Sequence, residues 1–174
     1  MVSKERQLYE ILLKASHFPK QLIMHHERSN AAEFILHGLA APDCFNLTKA
    51  AYFVDNPDFN HFQGVVGHNA HEAYTNDHWQ TPDLFSNHMK DKVFNQVVRG
   101  ISLPSVQRSG KNPTVVCEEL AYSLGMEEHR FFSWPLKHAN QGYVLFEHGN
   151  SHAHELIDEH LQLIAHLLGF CPFF

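Results

Sequence analysis

Residues 131–149 read FFSWPLKHANQGYVLFEHG, two apolar runs around a polar turn. Each run is long enough for a strand. A hairpin with one face in water alternates apolar and polar residues. The second run, Tyr143-Val144-Leu145-Phe146, does not alternate. It predicts a central strand covered on both faces, and the rest of the chain must supply two layers of cover.

Upstream of the hairpin, Asn112 suits an N-cap and Pro113 the first helical position. The stretch TVVCEELAYSLG then predicts a helix that buries Val116, Leu120 and Leu124 and is closed by Gly125. Residues 91–101, DKVFNQVVRGI, predict a helix with Val93, Phe94, Val97 and Val98 on its buried side. HEAYTNDHW reads as a short helix or turn. Residues 48–55, TKAAYFVD, and 61–67, HFQGVVG, read as paired strands around the turn Asn56-Pro57-Asp58. Gly64 and Gly67 either weaken the second strand or mark the close approach of another backbone or a ligand.

Near the start, KERQLYEILLKA sets Leu8, Ile11, Leu12 and Ala15 at helical spacing, and Pro19 interrupts. A second helix runs from about Ser29 through Ala32, Phe34, Ile35 and Leu39 and stops before Pro42. At the far end, a helix from about Ser151 lays Leu156, Ile157, Leu161, Ile164, Leu167 and Leu168 on one face, and Gly169 ends it. These elements predict an α+β fold. Consecutive strand pairs imply an antiparallel sheet, with terminal helices on one face. Short middle helices cover the other face, where a cavity forms most easily. Residues 1–28 form an N-terminal helical segment and 29–174 one globular unit.

Composition narrows the function. A net charge of −6 from 18% charged residues lacks the basic stripe of a nucleic-acid binder. No run of about 18 apolar residues suggests a membrane span, and the charged start does not read as a signal peptide. Cys44, Cys117 and Cys171 are odd in number and far apart, as expected of reduced thiols in a cytoplasmic protein. Familiar nucleophile, phosphate-loop and dinucleotide motifs are absent, so no catalytic residue is assigned. Histidine is abundant, with 16 residues. His148, His152 and His154 lie close together, but i, i+2 positions on a helix point apart and no H-E-x-x-H occurs. No metal site is assigned there or at His25-His26-Glu27.

The ligand-binding candidates follow from the layer where a cavity is expected. Tyr52, Trp79, Phe85, Phe94, Val98, Trp134 and Tyr143 offer aromatic and apolar walls, and Tyr and Trp keep a polar handle. Arg99, on an otherwise apolar helix, suits either a carboxylate or phosphate clamp or a surface position on the polar side of that helix. Cys117 lies on the expected pocket wall beside Glu118 and Glu119, whose charge raises a thiol pKa.

The order of these motifs resembles the GAF domain family of bacterial sensors over residues 29–168. The carriers are HGLAAPDCFNLTKAAYFVDN, FQGVVGH, DKVFNQVVRGISLP and the FFSWPLKHANQGYVLFEHG hairpin. The resemblance implies a profilin-like antiparallel sheet with a small-molecule cavity on one face, and dimerisation through terminal helices. Family members bind cyclic nucleotides, bilins, haem or small metabolites. The family's NKFDE signature is absent here, and Cys117 lacks the Cys-His context of bilin attachment. Some relatives reduce free methionine sulfoxide with paired pocket cysteines, and Cys117 has no such partner in the pattern. The expectation is a homodimeric signal-transduction module binding an unidentified small molecule, with tyrosine, tryptophan, Arg99 and Cys117 at its pocket and any cofactor unknown. It would signal through its terminal helices to an output domain or partner protein. The alternatives are a small thiol-dependent reductase and a ligand-free interaction module whose cavity is filled by its own aromatics.

Overall fold

The computed structural model describes residues 4–149 and 155–173. In chain order the elements are α1 (Lys4–Ala15), α2 (Phe18–His25), α3 (Ala31–Ala40), β1 (Leu47–Asn56) and β2 (His61–Asn69). A 3₁₀ turn at Ala70–Glu72 leads to α4 (Pro82–Lys90), α5 (Val93–Arg99), β3 (Ser102–Leu103), α6 (Val106–Ser109) and α7 (Pro113–Ser123). The hairpin β4 (His129–Pro135) and β5 (Gln141–His148) follows, then α8 (Glu155–Ala165) and a 3₁₀ turn at His166–Phe170.

The five strands form one antiparallel sheet in the order β3-β2-β1-β5-β4. β5 is central and covered on both sides: Tyr143, Val144, Leu145 and Phe146 are 2%, 1%, 0% and 2% exposed. Strand alternation sends these residues to opposite faces. Tyr143 and Leu145 join Ala51 and Phe53 of β1 under Phe94 and Val98 of α5 and Val116, Cys117 and Leu120 of α7. Val144 and Phe146 join Tyr52 and Val54 under Ile11, Leu22, Ile35, Leu36, Leu161 and Leu168. The first cover is a layer of middle helices. The second is α1, α2 and α8 together with α3.

The middle of the chain departs from the expected layering at α4. Phe85 and Met89 pack with Phe34 of α3, so α4 sits at the flank of the terminal-helix layer. α5 also differs from its sequence pattern. Helical spacing predicts Val93 and Val97 buried, yet they stand 63% and 49% exposed, and Phe94, Asn95 and Val98 form the buried stripe. The cause is the narrow seat that α5 occupies on β2. A Cβ at Gly64 would lie 1.8 Å from the Val98 carbonyl oxygen, and one at Gly67 would lie 2.7 Å from Val98 Cγ2. The two glycines let another backbone approach, and only one narrow face of the helix fits there.

Pro19 does not separate helix from loop. It stands in the first turn of α2, where a missing N–H costs nothing. Gly169 lies inside the final 3₁₀ turn, because α8 ends at Ala165 and the chain tightens from there. The expected helix start near Ser151, the burial of Leu156, and His152 and His154 lie outside the described residues.

Candidate functional site

The sheet distributes the aromatic candidates between its two faces. Tyr52 pairs in register with Val144, and Phe53 with Tyr143, so the two tyrosines have opposite parity and point to opposite sides. Tyr52 and Trp134 stack at 5.7 Å between ring centroids under the terminal helices. Phe94, Cys117 and Tyr143 belong to the middle-helix layer, where Phe62 lies 5.3 Å from Phe53 and 5.6 Å from Tyr143 between ring centroids. None of these five residues lines a described cavity. The sheet's middle-helix face is filled by its own side chains.

The thiols are quiet. Cys44, Cys117 and Cys171 are buried and unpaired. Burial pushes each up to about 12, helped at Cys117 by the charge of Glu118. None carries a meaningful thiolate fraction near neutral pH. His148 likewise has a structural partner: its Nε2 lies 2.7 Å from Asp158 Oδ1, and Arg130 pairs with the same carboxylate. Among the described residues, no group of three or more His, Cys, Asp or Glu side chains is spaced to hold a metal ion.

Arg99 stands elsewhere, at the exposed β2 edge. β3 pairs only with Phe62 and Gln63, so β2 beyond them has no strand neighbour on that side. A bulge in the β1–β2 register falls beside Val65. A cleft of about 820 Å³ runs along this edge. Its walls are Gln63–Val65, the outer faces of α3 and α4, Arg99 at the end of α5, and Pro172 and Phe173 near the C-terminus.

The floor of the cleft is a polar network anchored on Glu33, only 4% exposed in a helix whose other polar side chain is His37. Asn95 accepts from the Gly67 N–H at 2.9 Å and donates to Glu33 Oε1 at 3.0 Å and to the Met89 carbonyl at 3.1 Å. Asn30 donates to Glu33 Oε2 at 2.8 Å and to Ser86 Oγ at 2.9 Å. Asn95 and Glu33 thus take the role that a further strand would play, satisfying a β2 edge amide and tying α3 to α5 around it.

Above this floor, cations face the open space. Arg28 spends two nitrogens on Asp83 Oδ1, each at 3.0 Å. Arg99 is 52% exposed at its side chain and touches the protein through one 3.5 Å contact to Glu33 Oε1. Its remaining N–H groups have no acceptor among the described residues, and neither does the Lys90 ammonium on the same wall. A guanidinium with its fork free, beside a second free cation, is suited to a carboxylate or phosphate.

Of the residues at this cleft, the sequence reading names Arg99 and does not name Glu33, Asn95, Lys90 or Arg28. The signal for Glu33 lies in AAEFILHGLA. A helix apolar on all sides is buried, so its carboxylate must have buried partners. No family model matches this chain, and neither a curated protein nor a solved structure matches it significantly.

Proposed function

We propose that this chain is a GAF-like regulatory domain that binds a small anionic molecule in the β2-edge cleft and passes the occupancy on to its chain ends. The observation that carries this reading is Arg99: a half-exposed guanidinium held by a single long contact over a cleft of about 820 Å³, with Lys90 beside it. The cleft lies between the sheet edge and middle helices α4 and α5, and the C-terminal Pro172 and Phe173 form part of its wall. An anion drawn onto Arg99 and Lys90 pulls α4 and α5 together and changes what the C-terminal segment packs against. Such a shift requires the anion to favour the closed arrangement over the open one. Exposed Tyr9 and Leu13, one turn apart on α1, and exposed Leu163 on neighbouring α8 support a homodimer through the terminal helices.

Inorganic phosphate and succinate serve as probes, titrated by calorimetry at low and moderate salt. Binding that weakens roughly ten- to a hundredfold in Arg99→Gln fits the loss of charge-assisted hydrogen bonds. Equal affinity in wild type and Arg99→Gln overturns the reading. A second reading, an interaction module without a small-molecule ligand, draws on the filled middle-helix face. It is favoured if neither anion binds the wild-type chain. The thiol-reductase alternative draws no support from Cys117, whose thiol burial pushes up to about 12.

A further inference from the structure

We propose that a second cavity, bounded by His37, His68 and His78, binds an uncharged aromatic molecule that carries an O–H or N–H donor. This chamber encloses about 440 Å³ between α3, the end of β2 and residues 73–79. That volume suits a molecule of one or two rings. It is a different space from the β2-edge cleft, walled by other residues of α3 and β2.

The three imidazoles form one cluster. The His37 ring lies 4.7 Å from that of His78 and 5.3 Å from that of His68, both edge to face. Burial keeps all three neutral, pushing His37 down to about 3 and His68 and His78 to about 4. At His37 the neighbouring histidines His78, His68 and His88 add to the drop.

Neutral imidazole has one N–H and one bare nitrogen, and the partners say which is which. His78 Nε2 lies 3.1 Å from the Phe34 carbonyl, so it carries the proton and leaves Nδ1 as an acceptor. That Nδ1 has no hydrogen-bond partner among the described residues, and His78 lines the chamber. In the neighbouring ring, His37 Nδ1 is likewise buried without a partner, in a residue only 6% exposed.

These facts select the ligand class. An anion finds no free cation, because the rings are neutral and Lys14 at the rim pairs with Asp43. A purely apolar molecule leaves the His78 acceptor unmet, which is unfavourable. A metal ion finds no suitably spaced set of three ligands among the described residues. A donor on an aromatic ring answers both demands, because Phe18, Tyr74 and Trp79 supply ring surfaces around the imidazoles.

The test uses phenol and anisole, two single-ring probes that differ in the donor. Imidazole ¹⁵N resonances of the whole chain are followed through each titration. Phenol is expected to give a saturable shift of His78 Nδ1, and anisole to bind roughly tenfold more weakly. His78→Phe is expected to lower phenol affinity to that of anisole. If that variant does not fold, His78→Gln supplies an acceptor and should keep the preference for phenol. Equal affinity of the two probes in the wild-type chain overturns the proposal. So does a phenol titration without saturation, or a zinc ion alone that shifts the same three resonances.

Discussion

Strand β5 and helix α3 both lie deep in the molecule, and they are enclosed in different ways. The Val144–Phe146 run of β5 buries only apolar side chains, while its backbone groups are used by β1 on one side and β4 on the other. α3 buries all ten of its residues, and two of them are Glu33 and His37. These two stand four positions apart, neighbours on one side of the helix. Glu33 anchors the floor of the β2-edge cleft, and His37 lines the histidine chamber. The dry element holds the fold together. The wet one places both candidate sites.

Leu145→Ala tests the dry element most severely. Leu145 is fully buried between β1 and α7, and deletion of such a side chain costs about 2–5 kcal/mol. Urea denaturation measures the loss. Phosphate affinity of the folded variant should stay at the wild-type level, because Leu145 does not line the cleft. A cost below about 1 kcal/mol would mean that the strand is not sandwiched.

Acid should act on the wet element. His37, His68 and His78 have folded-state values of about 3, about 4 and about 4, below the unfolded value of 6.5. The unfolded chain therefore binds protons that the folded chain refuses. Stability is full above about pH 6.5 and is lost as pH falls toward about pH 4, by at most about 1.4 kcal/mol per pH unit for each ring. The charges facing the cluster work in both directions: Lys14 and His25 lower the His78 value, and Asp77 raises it. Urea midpoints measured at several pH values should fall with acid in the wild type and in Leu145→Ala alike, and less steeply in His78→Gln. A flat profile from pH 6.5 downward contradicts the buried, neutral cluster.

The contrast also explains what the sequence disclosed. Tyr143–Phe146 declared a two-sided strand through its missing alternation. Gly64 and Gly67 announced a close backbone, which proved to be α5. The pattern of α5 itself misled: Val93 and Val97 are as apolar as Phe94 and Val98, and only the narrow seat on β2 decides which pair is buried. Aromatic content was a mixed guide to a cavity: Trp79 lines the histidine chamber, whereas Tyr52, Trp134 and Tyr143 serve the core on the two faces of the sheet. The better guide was polarity out of place. Glu33 and His37 in AAEFILHGLA, and Arg99 after two valines, each sit in or beside a cavity. His68 and His78 gave no such signal, because their meeting with His37 is a long-range contact that local pattern does not encode.

The smallest effect on stability comes from the rim of the cleft, and there the effect on binding separates rim from floor. Asp83 is 86% exposed at its side chain and pairs with Arg28. An exposed pair of this kind contributes about 0–1 kcal/mol, so Asp83→Asn should leave the urea midpoint nearly unchanged. It also removes the carboxylate that occupies two nitrogens of Arg28, and so adds a third free cation to the wall holding Lys90 and Arg99. Phosphate should then bind severalfold more tightly, with a steeper dependence on salt because exposed charges are screened. Arg99→Gln moves affinity the other way. If Asp83→Asn weakens phosphate binding, Arg28 needs Asp83 to hold it in place, and the rim is a structural tie like the Glu33 floor beneath it.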